Sequence, residues 1–280
     1  MQYIRPFDDA QAFDTGFPGY RAQFVSRLED ALFIHSVIQE GGCGPGLHYH
    51  RSDQLYFLLN GNMNIQLGEH VRAIGPNTLV FIPAGLPHRN WNEGPGAENH
   101  FEMIIPTPMP GTPLALMVDE VDDVPAEHRA TQDAYVRPVT AGDLREALPG
   151  FRLQALADPA SGSLHAVVNY AELDAGSGGP GTHIHKFDQY YLVIDGELTI
   201  EVALEEHVVG PDHLVVLPAG VPHRQYNSGT GTERHLVIIA PAPRPGETWD
   251  EGVDFIANGV SHTGPNDVNP RPSAATNVGA

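Results

Sequence analysis

One block of this chain occurs twice. Residues 44–61, GPGLHYHRSDQLYFLLNG, match residues 179–196, GPGTHIHKFDQYYLVIDG, at an offset of 135. The same offset carries His48 to His183, His50 to His185, Gln54 to Gln189 and Gly61 to Gly196. It persists downstream, from Pro83 to Pro218, His88 to His223, Asn92 to Asn227 and His100 to His235. A period this long requires two copies of one folding unit, each large enough for its own core. The copies also begin alike. Tyr3-Ile4-Arg5-Pro6 echoes Tyr135-Val136-Arg137-Pro138, and Pro18-Gly19-Tyr20-Arg21 echoes Pro149-Gly150-Phe151-Arg152 at an offset of 131. About four extra residues therefore enter copy two, in the loop Gly176-Ser177-Gly178-Gly179. The expected division is 1–133 for the first unit with its linker, 134–261 for the second and 262–280 for a disordered tail. The linker is the acidic stretch 119–133.

The hydrophobic pattern within each copy is that of strands. Leu79–Ile82 and Leu214–Leu217 are short apolar runs closed by Pro-Ala-Gly, as in strands buried on both faces. Met63, Ile65 and Leu67 alternate with polar neighbours, and so do Leu198, Ile200 and Val202, the period of a half-buried strand. Gly75-Pro76-Asn77 and Gly210-Pro211-Asp212 mark turns in which Asn or Asp takes a left-handed conformation. With 30 Gly and 25 Pro spread along the chain, the class is all-β, built from short strands. One short helix is expected over 140–148 behind Thr140.

Residues i and i+2 of a strand point to one face. His48 and His50 therefore share a face, as do His183 and His185. A turn over 51–53 brings Gln54 back on the next strand, and His88 arrives from a distant strand behind Pro83-x-Gly85-x-x-His88. Gln189 and His223 complete the second set. Three imidazoles and an amide oxygen converging in this way suit a divalent transition metal, up to two per chain, with Fe, Mn, Ni and Co favoured and Zn possible on the same donors.

These residues resemble the two motifs of the cupin superfamily, G-x5-H-x-H-x3-4-E-x6-G and G-x5-P-x-G-x2-H-x3-N. Copy one supplies Gly42, His48, His50, Gln54 and Gly61, then Pro83, Gly85, His88 and Asn92. Copy two supplies His183, His185, Gln189 and Gly196, then Pro218, Gly220, His223 and Asn227. The resemblance implies two tandem cupin barrels, double-stranded β-helix or jelly-roll units related by duplication, and it extends to quercetinase-like bicupins. It also implies a monomer that mimics a cupin dimer, or a homodimer. Two departures stand out. Ser177, Asn77 and Asp212 replace motif glycines at turns. Gln54 and Gln189 replace the usual Glu, so each ligand set is neutral and no glutamate ligand is available as a base.

Tyr56 and Tyr191 lie two residues beyond the glutamines and are expected to line the cavities or pack beside them. His100 and His235 are candidates for a partner of the ligands or for the missing base. Arg89 and Arg224 point away from the metal side and are expected in salt bridges, with Trp91 and Tyr226 as packing residues and 201–207 as a solvated hairpin. The leading function is a metal-dependent dioxygenase acting on a small aromatic or enolisable substrate, with dioxygen as co-substrate. The alternatives are a non-redox lyase, isomerase or decarboxylase, and a binding bicupin without turnover. A formal charge of −20 disfavours nucleic acid and anionic membranes as partners. A single cysteine, Cys43, excludes an intrachain disulfide. With no apolar leader or membrane-length run in view, the expected location is cytoplasmic.

Overall fold

The computed structural model describes residues 2–253, 255–257 and 260–262. The expected disordered tail, 262–280, falls outside them apart from His262. Two compact units emerge. One comprises Phe7–Val139 with Leu156–Ala166, the other the chain up to Pro6, Thr140–Ala155 and the chain from Val167.

The N-terminal unit is a two-sheet β-barrel. Its larger sheet has the order Tyr135–Pro138, Thr78–Ile82, Asp53–Asn60, Glu98–Ile105, Leu32–Ile38, Tyr20–Arg27, Phe13–Asp14. Its smaller sheet has the order Leu116–Met117, His48–Tyr49, His88–Trp91, Met63–Leu67, His70–Ile74. Thr78–Ile82 is buried along its whole length, whereas Met63–Leu67 buries every second residue. These are the two burial patterns that the apolar run and the alternation dictate. Asn77 has φ of 55° and Asp212 φ of 60°, the left-handed turn conformation that their short polar side chains tolerate.

The C-terminal unit repeats this plan. Its larger sheet runs Ile4–Pro6, His213–Leu217, Asp188–Asp195, Glu233–Ala240, Val167–Leu173, Phe151–Ala157, Arg145–Leu148. Its smaller sheet runs Glu205–Val209, Leu198–Val202, His223–Tyr226, His183–Ile184, Glu251–Gly252.

The edges of these sheets depart from the simple division at 133. Ile4 pairs with Val215 and Arg5 with Leu214. Tyr135 pairs with Phe81 and Val136 with Val80. The opening strand of each repeat thus completes the sheet of the other copy, and a sequence repeat is blind to this choice because both opening strands carry the same pattern. The stretch 119–133 is also more than a connector. It forms two 3-10 turns, buries Val124, and brings its His128 carbonyl so close to Gly85 that a Cβ there would sit 1.7 Å away.

The helix expected over 140–148 is not formed. Thr140 Oγ1 donates to Asp143 Oδ2 at 2.7 Å as a cap would. The chain then enters the strand Arg145–Leu148, which pairs with Phe151–Ala157. The hairpin around Ala203 and Leu204 forms, but Glu201 in it is buried and its Oε2 accepts from Arg224 Nη2 at 2.9 Å. Among the described residues Arg89 has no such carboxylate partner. Its Nε donates to Gln66 Oε1 at 2.8 Å and its guanidinium lies over Trp91. Tyr226 is buried, whereas Trp91 is half-buried.

Candidate metal centres

In the N-terminal barrel the cross-strand register sets His48 opposite His88. His50 follows at the end of the same short strand, and Gln54 stands on the neighbouring sheet between Ile82 and Ile104. The three imidazoles are buried, and one ring nitrogen from each lies within 4.8 Å of the others. The same holds for His183, His185 and His223.

The orientation of all six rings is fixed from behind. Nδ1 of His48 donates to the Gly46 carbonyl at 2.8 Å, that of His50 to Leu114 and that of His88 to Leu86. In the second set His183 donates to Gly181, His185 to Trp249 and His223 to Val221, all within 2.9 Å. A proton held on Nδ1 leaves the Nε2 lone pair facing inward, the arrangement a metal-ligating histidine needs. Burial, followed by the neighbouring His50, pulls His48 down to about 4. Burial likewise lowers His50, His88, His183 and His223. Neutral rings are the form that binds metal.

The polar atoms left over fit an ion. His50 Nε2, His88 Nε2 and Gln54 Oε1 are buried without a hydrogen-bond partner. Around Gln189 Oε1 the Nε2 atoms of His185 and His223 stand at 3.0 and 2.9 Å. Lone pair meets lone pair there, a conflict that a cation held by these residues would resolve. Both glutamines thus present their oxygen toward the imidazoles.

The surroundings of the two centres differ. Beside the N-terminal set lies a buried carboxylate, Glu102, which the repeat does not flag. Its Oε2 accepts from Gln54 Nε2 at 2.9 Å. Its Oε1 accepts from Tyr20 Oη at 2.8 Å and Ser36 Oγ at 2.5 Å, and lies 3.2 Å from His100 Nε2. Nδ1 of His100 faces Glu98 at 2.9 Å. Burial pulls His100 down, but the flanking Glu98 and Glu102 carboxylates hold it up at about 10. Burial pushes Glu102 up, but His100, Ser36 and Tyr20 bring it to about 2. His100 is therefore held protonated against the buried Glu102 carboxylate and is not a free base. In copy two Glu233 and His235 persist at the offset, but Val237 stands for Glu102, Ala171 for Ser36 and Phe151 for Tyr20. These three join an apolar cluster with Tyr191. The break in the repeat is the sequence signal that would have found Glu102.

A cavity of about 370 Å³ opens onto His48, His50 and Gln54. Tyr56 and Glu102 line it, with Phe13, Phe17, Tyr20, Phe24 and Ile34 among its walls, and no lysine or arginine is among the described residues that line it. His100 lies outside this lining, behind Glu102. Tyr191 is fully buried, and its hydroxyl sits 3.1 Å from Gln189 Oε1 and 3.0 Å from Gln225 Oε1. At the place of Ala22 in the cavity wall, copy two carries the larger Leu153, packed against its core.

Two barrels of one ancestry, each closing on three inward imidazoles and a glutamine, define a duplicated metal-binding β-barrel protein. The chain belongs to the cupin family: the cupin domain matches residues 34–104 and again 169–239. Solved bicupins share the fold. Bacillus subtilis oxalate decarboxylase superposes with a TM-score of 0.65 at 13% identity, over 87% of this chain and 78% of that one. A putative glyoxylate-induced protein from Pseudomonas aeruginosa gives 0.68 at 17% identity, over 86% and 90%. AerE from Microcystis aeruginosa gives 0.62 at 14% identity, over 85% and 99%. No curated protein sequence matches the chain.

Proposed function

We propose that the N-terminal centre is the catalytic site of a metal-dependent oxygenase acting on a small aromatic or enolisable molecule. The observation that carries this reading is the cavity over His48, His50 and Gln54, with aromatic and aliphatic walls and no lysine or arginine among the described residues that line it. Its volume lies at the lower end of the roughly 300–1,000 Å³ usual for small-molecule sites. A dicarboxylate such as oxalate would find no side-chain cation there to offset its charge. An Fe, Mn, Ni or Co ion held by the three histidines and Gln54 would supply Lewis acidity and one-electron chemistry with open positions for substrate and dioxygen. Phe13, stacked on Phe24, and Phe17 would offer aromatic faces to a flat ring at the exposed rim of the cavity. Tyr56 would form the inner wall. Glu102, at about 2, stays ionised and is too weak a base to take a substrate proton at neutral pH. The substrate would therefore have to enter already ionised, as an enolate or phenolate.

The test is oxygen uptake by protein reconstituted with Fe, Mn, Ni or Co in turn, against a panel of hydroxylated aromatic ketones, enols and oxalate. Uptake with the neutral aromatic members, abolished by His50→Ala, supports the proposal. Turnover without oxygen uptake would replace it with a non-redox lyase or isomerase, which the neutral ligand set serves equally well. Metal bound without any turnover would leave a binding bicupin.

A further inference from the structure

The two centres carry the same four ligands, yet their glutamines are held differently. An amide side chain can turn either its oxygen or its nitrogen toward a metal, and the two ends differ little in shape. In the N-terminal centre the choice is made by Glu102. Its Oε2 takes the Gln54 Nε2 proton at 2.9 Å, which turns Gln54 Oε1 inward, where it is buried and has no hydrogen-bond partner. The carboxylate itself cannot swing away, because Tyr20 Oη, Ser36 Oγ and His100 Nε2 surround its other oxygen. In the C-terminal centre Val237, Ala171 and Phe151 occupy the corresponding places. His235 Nε2, which would face the missing carboxylate, is buried without a partner. The Gln189 oxygen there already lies within reach of a donor, the Tyr191 hydroxyl at 3.1 Å.

We propose that Glu102 is a positioning residue that locks the Gln54 amide oxygen toward the imidazoles, so that the N-terminal centre holds a metal more tightly than the C-terminal one. Three coordinated differences between otherwise matched repeats carry this inference: the carboxylate and two of the hydroxyls that hold it are all present in one copy and all absent from the other. In the C-terminal centre no anion stands behind the ligand, and the single Tyr191 hydroxyl proton is shared between Gln189 Oε1 and Gln225 Oε1. At one equivalent of metal per chain the N-terminal centre fills first. The proposal rests on the metal-binding reading above.

The experiment compares single-centre proteins. His185→Ala leaves the N-terminal centre and His50→Ala the C-terminal one. Each is titrated with Mn2+, followed by the electron paramagnetic resonance signal of the free ion, and with Zn2+ in competition with a chromogenic chelator. The N-terminal centre should bind at least about tenfold more tightly. Glu102→Gln in the His185→Ala background should weaken it by about 10–100-fold, the usual cost of losing a partner behind a ligand. Glu102→Asp, which keeps the charge, should recover part of that loss. Glu102→Gln in the His50→Ala background should change nothing. Equal affinities in the two single-centre proteins would overturn the proposal while leaving the metal sites intact. A loss on Glu102→Gln in both backgrounds would also overturn it, by making the effect a general one on folding. Failure of the wild-type chain to hold either ion would sink this proposal and the proposed function together.

Discussion

Acid should destabilise the metal-free protein long before its carboxylates titrate, and the ligand histidines set the window. In the unfolded chain His48 takes up its proton near pH 6.5; in the folded barrel, where burial and His50 oppose the charge, it does so only at about 4. Between these values the unfolded state binds more protons, so stability must fall as pH falls. Below about 4 both states are protonated and the loss from this residue stops growing. A pKa carried from 6.5 to about 4 is worth about 3 kcal/mol. His50 and His88 are displaced in the same direction for the same reason, so the steepest loss lies in that window. The assay is urea denaturation of chelator-treated protein at intervals from pH 7.5 to 4, followed by far-ultraviolet circular dichroism. His48→Gln, which keeps a polar side chain but cannot titrate, should be flatter than wild type by about 3 kcal/mol across the window. Saturating metal should hold the imidazoles unprotonated and move the loss to lower pH. A metal-free stability that stays level from pH 6.5 to 4 would refute the claim that these rings are buried and neutral.

Other consequences are as direct. Ala22→Leu, which gives the N-terminal cavity the residue found in copy two, should abolish binding of aromatic ligands while leaving metal content unchanged; calorimetry and elemental analysis on the same sample separate the two. Glu201→Ala removes the buried carboxylate that accepts from the Arg224 guanidinium and should cost about 3–5 kcal/mol in chemical denaturation. Phe101→Ala removes a fully buried ring stacked between Phe33 and Phe7 and should cost about 3–5 kcal/mol by the same measurement. Deleting residues 2–6 removes the strand paired with His213–Leu217, so hydrogen exchange should speed up in that strand and leave Thr78–Ile82 protected.

The parts of this molecule that were legible in the sequence are those that duplication wrote twice. The His-x-His pairs, the distant histidines, the two glutamines and the left-handed turns at Asn77 and Asp212 all recur at one offset, and each recurrence strengthens the other. What recurrence could not convey was difference. Glu102 went unnoticed because its counterpart is Val237, and the contrast Tyr20–Phe151 and Ser36–Ala171 carries the same message only once the strands are paired. Tyr56 and Tyr191 look equivalent along the chain and both are buried, yet Tyr56 lines a cavity whereas Tyr191 sets its hydroxyl between two glutamine oxygens. Local signals failed where tertiary pairing overruled them. Thr140 and Asp143 form the turn that a helix start would use, but Arg145–Leu148 gains more by pairing with Phe151–Ala157 than four residues gain as an isolated helical turn. Both opening strands share one pattern, so the sequence groups each with its own repeat, whereas the path of the chain decides which sheet edge each completes.

Each barrel should hold one divalent transition metal on three histidines and a glutamine. This is tested most directly by elemental mass spectrometry on the wild-type chain, His50→Ala and His185→Ala, each purified without chelator and reconstituted alike. About two equivalents per chain are expected in the wild type and about one in each variant. A wild type that carries no metal after reconstitution would contradict that expectation.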